Sequence, residues 1–338
     1  MNKIIELRSD TFTMPSVQMK EYMFNAQVGD DVYGEDPSVN ALEDKMAKLT
    51  NKEAALFTTS GTQANLLAML SHCQRGEEYI CGQDSHIFKY EGGGSSVLGG
   101  ISPQPIEFEK DGTLDLNKVY KKIKPNDFHF AMTKLLCLEN THDGKVLPLS
   151  YLQEARKFTQ DKNLLLHLDG ARVFNAVIDL GIDIKDISVC FDSMSICISK
   201  GLGAPVGSVL VGSKEFINKA RRYRKMLGGG LRQSGYLAAA CYYAIDNNIK
   251  DLEKDHTHAK KLALELSKID EIKILSNDTN MVFIEVLDKK VDLLINYLKN
   301  KGINISGTYE ELRLVTHRDV SSEDIDYVIK TFKEFFKK

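Results

Sequence analysis

The sequence predicts an α/β fold, with a large lobe on an open, mostly parallel sheet followed by a small α+β lobe. Three observations carry this. Short apolar runs that end in polar residues alternate with stretches of helical periodicity, the pattern of strands joined by crossover helices. Two of these runs lead into Asp169 and Lys200, 31 residues apart, which is room for a strand, a crossover helix and the neighbouring strand. From about Asn248 the texture changes to Lys- and Glu-rich helices and short strands, which marks a lobe boundary. The expected division is residues 1–247, including the N-terminal segment 1–15, and residues 248–338.

At 338 residues the chain can bury a large core and divide in two. A net charge of −3, from 44 basic and 47 acidic residues, gives no support for nucleic-acid binding. No apolar run approaches a membrane span, and Met1-Asn2-Lys3-Ile4 starts no signal peptide. Cys73, Cys81, Cys137, Cys190, Cys197 and Cys241 lack CxxC spacing and mostly lie in apolar runs, as reduced core residues of a cytoplasmic protein do.

Along the chain, Leu7-Arg8-Ser9-Asp10-Thr11 reads by itself as a leading loop. Gly29 to Pro37 is acidic and glycine-punctuated, with Asp36 placed to cap a helix and Pro37 to open it. That helix is predicted over 37–49, with Val39, Leu42, Met46 and Leu49 on one face. A strand then ends near Thr58, and Ser60-Gly61-Thr62 leads into a helix over 63–72. Such a turn aims backbone N–H groups at one point, where a phosphate is stabilised. The same residues cap ordinary helices, so the turn gains meaning only beside other evidence.

A strand over 78–81 precedes Asp84-Ser85-His86, which sets His86 at the ligand-binding edge of an α/β sheet. Gly92-Gly93-Gly94 is expected to shape a loop and lacks the context of a dinucleotide motif. Leu135 to Leu138 is a buried strand, and a helix follows over 147–161. Val206 to Gly212 reads as a glycine-bounded strand, with an antiparallel course suggested. Helices over 215–226 and 233–246 flank Gly228-Gly229-Gly230-Leu231-Arg232. The last lobe is expected to hold helices over 251–268, 291–301 and 323–336 and strands over 281–286 and 313–316.

The run Ser193 to Gly203 organises the rest. An apolar strand around Ile196–Ile198 holds a rigid backbone, Lys200 emerges past its end, and Gly201 and Gly203 let the chain turn away. A lone lysine there is ordinarily a surface residue. Upstream, however, the strand through Leu166 and Leu168 ends in Asp169 and then Arg172. A lysine for an aldehyde and an acid for a ring nitrogen are what pyridoxal 5′-phosphate requires, with the 60–62 turn as phosphate cup.

In order, VGDDVYGEDP (28–37), SGTQAN (60–65), DSHIF (84–88), LENTHDGKVLP (138–148), HLDGARVFNA (167–176), SKGLGAPVGS (199–208), RKMLGGGLRQSG (224–235) and LRLVTH (312–317) span nearly the whole chain. On these stretches the chain resembles the low-specificity L-threonine aldolases, fold-type-I pyridoxal-phosphate enzymes. The resemblance implies retro-aldol cleavage of L-threonine and L-allo-threonine to glycine and acetaldehyde. It implies that Lys200 forms the Schiff base, Asp169 holds the pyridine nitrogen, Arg172 contacts the phenolate oxygen, and Ser60, Gly61 and Thr62 hold the phosphate.

It further implies that His86 stacks on the ring, that Ser9 and Arg313 bind the substrate carboxylate, and that His129 sits near the substrate hydroxyl. Tyr33, Glu91 and Arg232 would line the site, some from a neighbouring subunit of a homo-oligomer, dimer or tetramer. The base stays open between His86, His129, Glu91 and a bound water. Where the family usually has an arginine, this chain has Met132. An aminotransferase or β-eliminating lyase on the same fold is the competing enzyme reading, and a cofactor-binding homologue without catalysis is the competing reading from another class. No metal is expected.

Overall fold

The structure, a computed structural model, describes residues 3–287, 290–308 and 311–337. Its strands in chain order are β1 (Ile5–Glu6), β2 (Ala54–Thr58), β3 (Glu77–Gly82), β4 (Ser102–Ile106), β5 (Met132–Glu139), β6 (Leu165–Gly170), β7 (Ser193–Cys197), β8 (Ser208–Gly212), β9 (Ile272–Asp278), β10 (Met281–Val286), β11 (Ile303–Asn304), β12 (Ser306–Thr308) and β13 (Glu311–Val315). The large sheet has the order β2-β8-β7-β6-β5-β3-β4. Strand β8 is antiparallel to both neighbours, as its sequence suggested, while β7, β6, β5, β3 and β4 pair in parallel. A second, antiparallel sheet of order β12-β13-β10-β9 occupies the C-terminal part. This is the expected architecture, a mostly parallel sheet with a small α+β unit.

The central strands are apolar on both faces because helices cover both. Leu166, Leu168, Met194 and Ile196 are fully buried, and each such side chain contributes about 1.5–3 kcal/mol relative to exposure. The helix Pro37–Thr50 begins as its sequence dictates: Asp36 accepts from the backbone N–H groups of Ser38 and Val39, and Val39, Leu42 and Met46 face the core. Strand β4 gave no sequence signal, because Ser-Pro-Gln-Pro-Ile has no strand-like pattern. It lies at the sheet edge, where two prolines are tolerated.

Two expectations change. Gly92 and Gly93 form a turn with φ of 62° and 66°, but Gly94 opens a short helix to Gly99 rather than continuing the loop. The segment 1–15, grouped by sequence with the large lobe, is shared. Strand β1 pairs with β11, and Ile5 and Leu7 pack among Leu294, Leu298 and Leu312 of the C-terminal core. Asp10, a few residues on, reaches Arg172 beyond β6. A two-residue strand carries no periodicity that would reveal its partner.

Candidate active site

Strands β6 and β7 are neighbours in register, Asp169 opposite Ser195, and both run out at the same edge of the sheet. Asp169 is therefore held at the end of one strand and Lys200 in the turn beyond the next. The turn is fixed by Gly203 N–H donating to the Lys200 carbonyl at 2.8 Å, and by Ile198 and Ser199 N–H donating to the Gly207 carbonyl. Gly203 has φ of 79°, and a Cβ on Gly201 would stand 3.0 Å from Leu252. The glycines expected to turn the chain away from Lys200 thus do so, one by its dihedral and one by its close approach. Lys200 and Arg172 line a common small cavity with Ala171, Cys197 and Leu252.

The turn 60–62 abuts this strand. A Cβ on Gly61 would lie 2.6 Å from the Cys197 sulfur, so only glycine lets the turn pack against β7. Ser60 caps the helix Gly61–His72, its Oγ accepting from Gln63 N–H at 3.1 Å. The Gly61 and Thr62 N–H groups, among the first-turn donors that a helix leaves unpaired, make no hydrogen bond within the described residues and suit a phosphate.

His86, opening a short helix after β3, donates from Nδ1 to Glu91 Oε1 at 2.8 Å. The bond to Glu91 is the main reason the His86 imidazole titrates above its usual value, and burial works against it. Glu91 is itself pushed up by burial and by Asp169, against the bonds from His86 and Asn65. Asn65 Nδ2 donates to Glu91 Oε1 at 2.9 Å and to Asp169 Oδ2 at 2.8 Å, and Ala171 N–H donates to Asp169 Oδ1 at 3.1 Å. Donor atoms of His86, Glu91 and Asp169 all lie within 4.8 Å of one another.

On the other side, Arg172 makes a bidentate pair with Asp10, Nε to Oδ2 at 2.8 Å and Nη2 to Oδ1 at 2.6 Å. Burial would raise the Asp10 carboxyl, but the charge and hydrogen bonds of Arg172, with Lys200 and His317, outweigh it and hold it at about 2. The arginine expected to serve a cofactor oxygen is thus oriented by an acid that sequence reasoning passed over. Its Nη1 makes no hydrogen bond among the described residues. Arg313, half-buried on β13, donates from Nη2 to the Arg8 carbonyl at 3.1 Å, which brings it beside Ser9. Burial, and secondarily Arg172, press the Arg313 guanidinium below its ordinary value against Asp10 and Asp143, and it makes no ion pair among the described residues.

Three expected residues stand apart within one chain. His129 lies on an exposed loop, and its ring pairs with Asp127 at 2.7 Å rather than with any site residue. Tyr33 is exposed in the turn Asp31–Tyr33. Arg232 donates to Asp30 at 2.9 Å, and its carbonyl accepts from Asp31 N–H, so Tyr33 and Arg232 sit on one outward-facing pair of loops. That pair is anchored by the buried Arg224–Asp31 bridge at 2.7 Å. Met132 is the exposed first residue of β5. Asn65 was missed although its motif was read. Its signal is the spacing of four from Gly61, which puts it on the same helix face one turn in.

The first-turn N–H groups of Gly61 and Thr62, the buried carboxylate of Asp169, the amine of Lys200 and the guanidinium of Arg172 are the kinds of group that pyridoxal 5′-phosphate needs, and in that chemistry the residues present fit it.

The β-eliminating lyase family model matches residues 6–289. The low specificity L-threonine aldolase of Escherichia coli (strain K12) is 54% identical over 332 residues, covering 98% of this chain and 99% of that protein. Low-specificity L-threonine aldolase 1 of Arabidopsis thaliana is 42% identical over 342 residues, covering 98% and 96%. Among solved structures, the threonine aldolase of Leishmania major superposes with a TM-score of 0.85 at 20% identity, over 98% of this chain and 99% of that one. The serine palmitoyltransferase of Sphingomonas wittichii gives 0.76 at 18% identity, over 98% and 86%. At such identities the two structures speak to fold alone.

Proposed function

The chain belongs to the low-specificity L-threonine aldolases within the β-eliminating lyase family, and on that premise we propose how its residues divide the work. The reaction is pyridoxal-phosphate-dependent cleavage of the Cα–Cβ bond of L-threonine to glycine and acetaldehyde, with L-allo-threonine as a second substrate. One observation carries the assignment of the site: Asp169 and Lys200 leave adjacent parallel strands at one edge, with the Ser60-Gly61-Thr62 turn packed on the second strand.

When bound, the cofactor supplies a protonated ring that accepts the electron pair of the breaking bond. Lys200 carries it through Nζ. Asp169, held by the Asn65 and Ala171 N–H groups, keeps the ring nitrogen protonated. Ser60, Gly61 and Thr62 receive the phosphate, and Arg172 offers Nη1 to the phenolate oxygen. Arg313, with Ser9, receives the substrate carboxylate. That anchor would decide which bond at Cα is presented to the bound cofactor, the choice that separates aldol cleavage from transamination.

His86 is the histidine held inside the site. Because its Nδ1 proton is given to Glu91, Nε2 is the atom left to exchange a proton with the substrate hydroxyl, directly or through water. His129, Tyr33 and Arg232 are assigned to a site completed by a neighbouring subunit, in a homodimer or a pair of homodimers. No helix among the described residues is long and apolar enough to cross a membrane, and six buried, unpaired cysteines support a cytoplasmic setting.

The test is Lys200→Ala. The variant is expected to keep its far-UV spectrum, lose the cofactor chromophore on desalting, and lose turnover. Substantial cleavage by a folded Lys200→Ala variant sinks the assignment.

A further inference from the structure

A chain of hydrogen bonds runs away from the site into the sheet, and its hub is Asn65. The side chain is buried and makes contacts on both ends of its amide. Nδ2 donates one N–H to Asp169 and the other to Glu91. Oδ1 accepts from the Ser195 hydroxyl at 2.7 Å and lies 3.4 Å from His167 Nε2. Behind it, His167 Nδ1 is 2.8 Å from the Ser193 hydroxyl, which is 2.6 Å from His72 Nε2.

This pattern fixes which way the amide faces. With the two ends exchanged, a carbonyl oxygen would oppose two carboxylates, and an NH2 group would oppose the Ser195 hydroxyl. Every bond of the present orientation pairs a donor with an acceptor. A carboxamide is also the side chain that the position demands. An acid would set a third carboxylate against two, and an aliphatic residue would leave both carboxylates short of a donor in a buried place.

We infer that Asn65 is a positioning residue of the cleavage reaction, tying the acid assigned to the ring nitrogen to the Glu91–His86 pair through the two N–H groups of one buried amide. The consequence falls on His86. Glu91 as an anion is what favours the His86 imidazolium, so anything that lets Glu91 take up a proton weakens that hold. Other charged or titratable groups face the cluster: Lys200 from the β7 turn, Glu139 from β5, whose Oε2 accepts from His86 N–H, and Tyr90, 5.8 Å from the His86 ring. Buried Cys137, Tyr79 and His167 lie behind. None of these bonds to Nδ2 of Asn65.

The inference rests on the cofactor reading, but its first test does not use the cofactor. In the apoprotein, His86 is followed by NMR with labelled histidine, its resonance assigned by loss in His86→Gln. Asn65→Leu is expected to lower the His86 midpoint by about 1 unit, the size of a lost neighbouring charge. Ser195→Ala, which removes only the hydroxyl that orients the amide, is expected to shift it less and in the same direction. The second readout is the pH titration of the cofactor absorbance in holoenzyme, whose midpoint is expected to move in both variants.

If both variants fold and leave the His86 midpoint and the absorbance titration at wild-type values, Asn65 is a core residue and the inference is overturned. If Asn65→Leu does not fold, Ser195→Ala decides by the same two readouts. A His86 shift in the apoprotein with no cofactor titration in wild-type holoenzyme would instead fault the cofactor reading.

Discussion

Replacing Asp10 with asparagine tests how the arginine beside Lys200 is held. The Asp10 side chain is fully buried and the Arg172 side chain is 14% exposed, and two hydrogen bonds of 2.6 and 2.8 Å join them. Asparagine keeps the shape but removes the charge, leaving the guanidinium buried with one acceptor fewer. Removing one partner of a buried pair costs about 3–5 kcal/mol, against about 0–1 kcal/mol for an exposed pair. A carboxyl brought from 3.8 to about 2 contributes on the order of 2 kcal/mol of stability. Because the folded value is the lower one, that stability is present above the unfolded value and is lost as pH falls through the folded one. The assay is urea unfolding of the apoprotein at fixed concentration and neutral pH, for wild type, Asp10→Asn, Arg172→Met and the double variant. The double variant is expected to be much less destabilised than the two single changes add up to, a coupling of about 3 kcal/mol. A cost for Asp10→Asn below about 1 kcal/mol, with no coupling, would refute the claim that this pair is a buried strut.

Arg313→Ala is expected to raise KM for threonine sharply and to lower kcat, because the carboxylate anchor also sets the bond angle. Arg313→Lys recovers little, since an ammonium lacks the planar two-point contact, and unchanged kinetics in either variant removes Arg313 from the site. Arg232→Ala, inactive or weakly active alone, is expected to regain activity when its subunits exchange with Lys200→Ala subunits, one mixed site then holding both residues. No recovery after confirmed exchange keeps Arg232 in its own chain. Asp255, buried near Asp10 and Asp251, is pushed up to about 8 by burial first and those acids second, against Arg318 and Lys254. Its folded value exceeds its unfolded one, so wild-type stability falls as pH rises between the two. Asp255→Asn is therefore expected to gain on wild type steadily from about pH 4 to pH 8, and a difference independent of pH refutes it.

The parts of the site legible in the sequence were those whose chemistry and position coincide. Asp169 and Lys200 sit where apolar strands end, so pattern and residue type point the same way. Ser60-Gly61-Thr62, which by itself could cap any helix, was readable only beside Asp169 and Lys200. Asp10 was not, although its motif was noticed. A two-residue strand and a three-residue turn carry no periodicity, and its partner is 162 residues away. Asn65 was hidden for another reason. Inside a helix buried along most of its length an asparagine stands out only as a polar residue without a visible partner, and only the third dimension brings two carboxylates and a serine of another strand to its ends. His129, Tyr33 and Arg232 rest on the resemblance, since one chain leaves them on exposed loops where sequence pattern and packing are equally silent.

The most direct test of the central claim is product balance. Enzyme saturated with pyridoxal phosphate is given L-threonine with no keto-acid acceptor, and glycine, acetaldehyde, ammonia and 2-oxobutanoate are measured together. Glycine and acetaldehyde appearing in equal amounts, without ammonia or 2-oxobutanoate, is the result the account predicts. Ammonia and 2-oxobutanoate as the main products would mean that the Cα–H bond is the one held perpendicular to the ring, and the assignment of Arg313 and Ser9 as the anchor for Cα–Cβ cleavage would be contradicted.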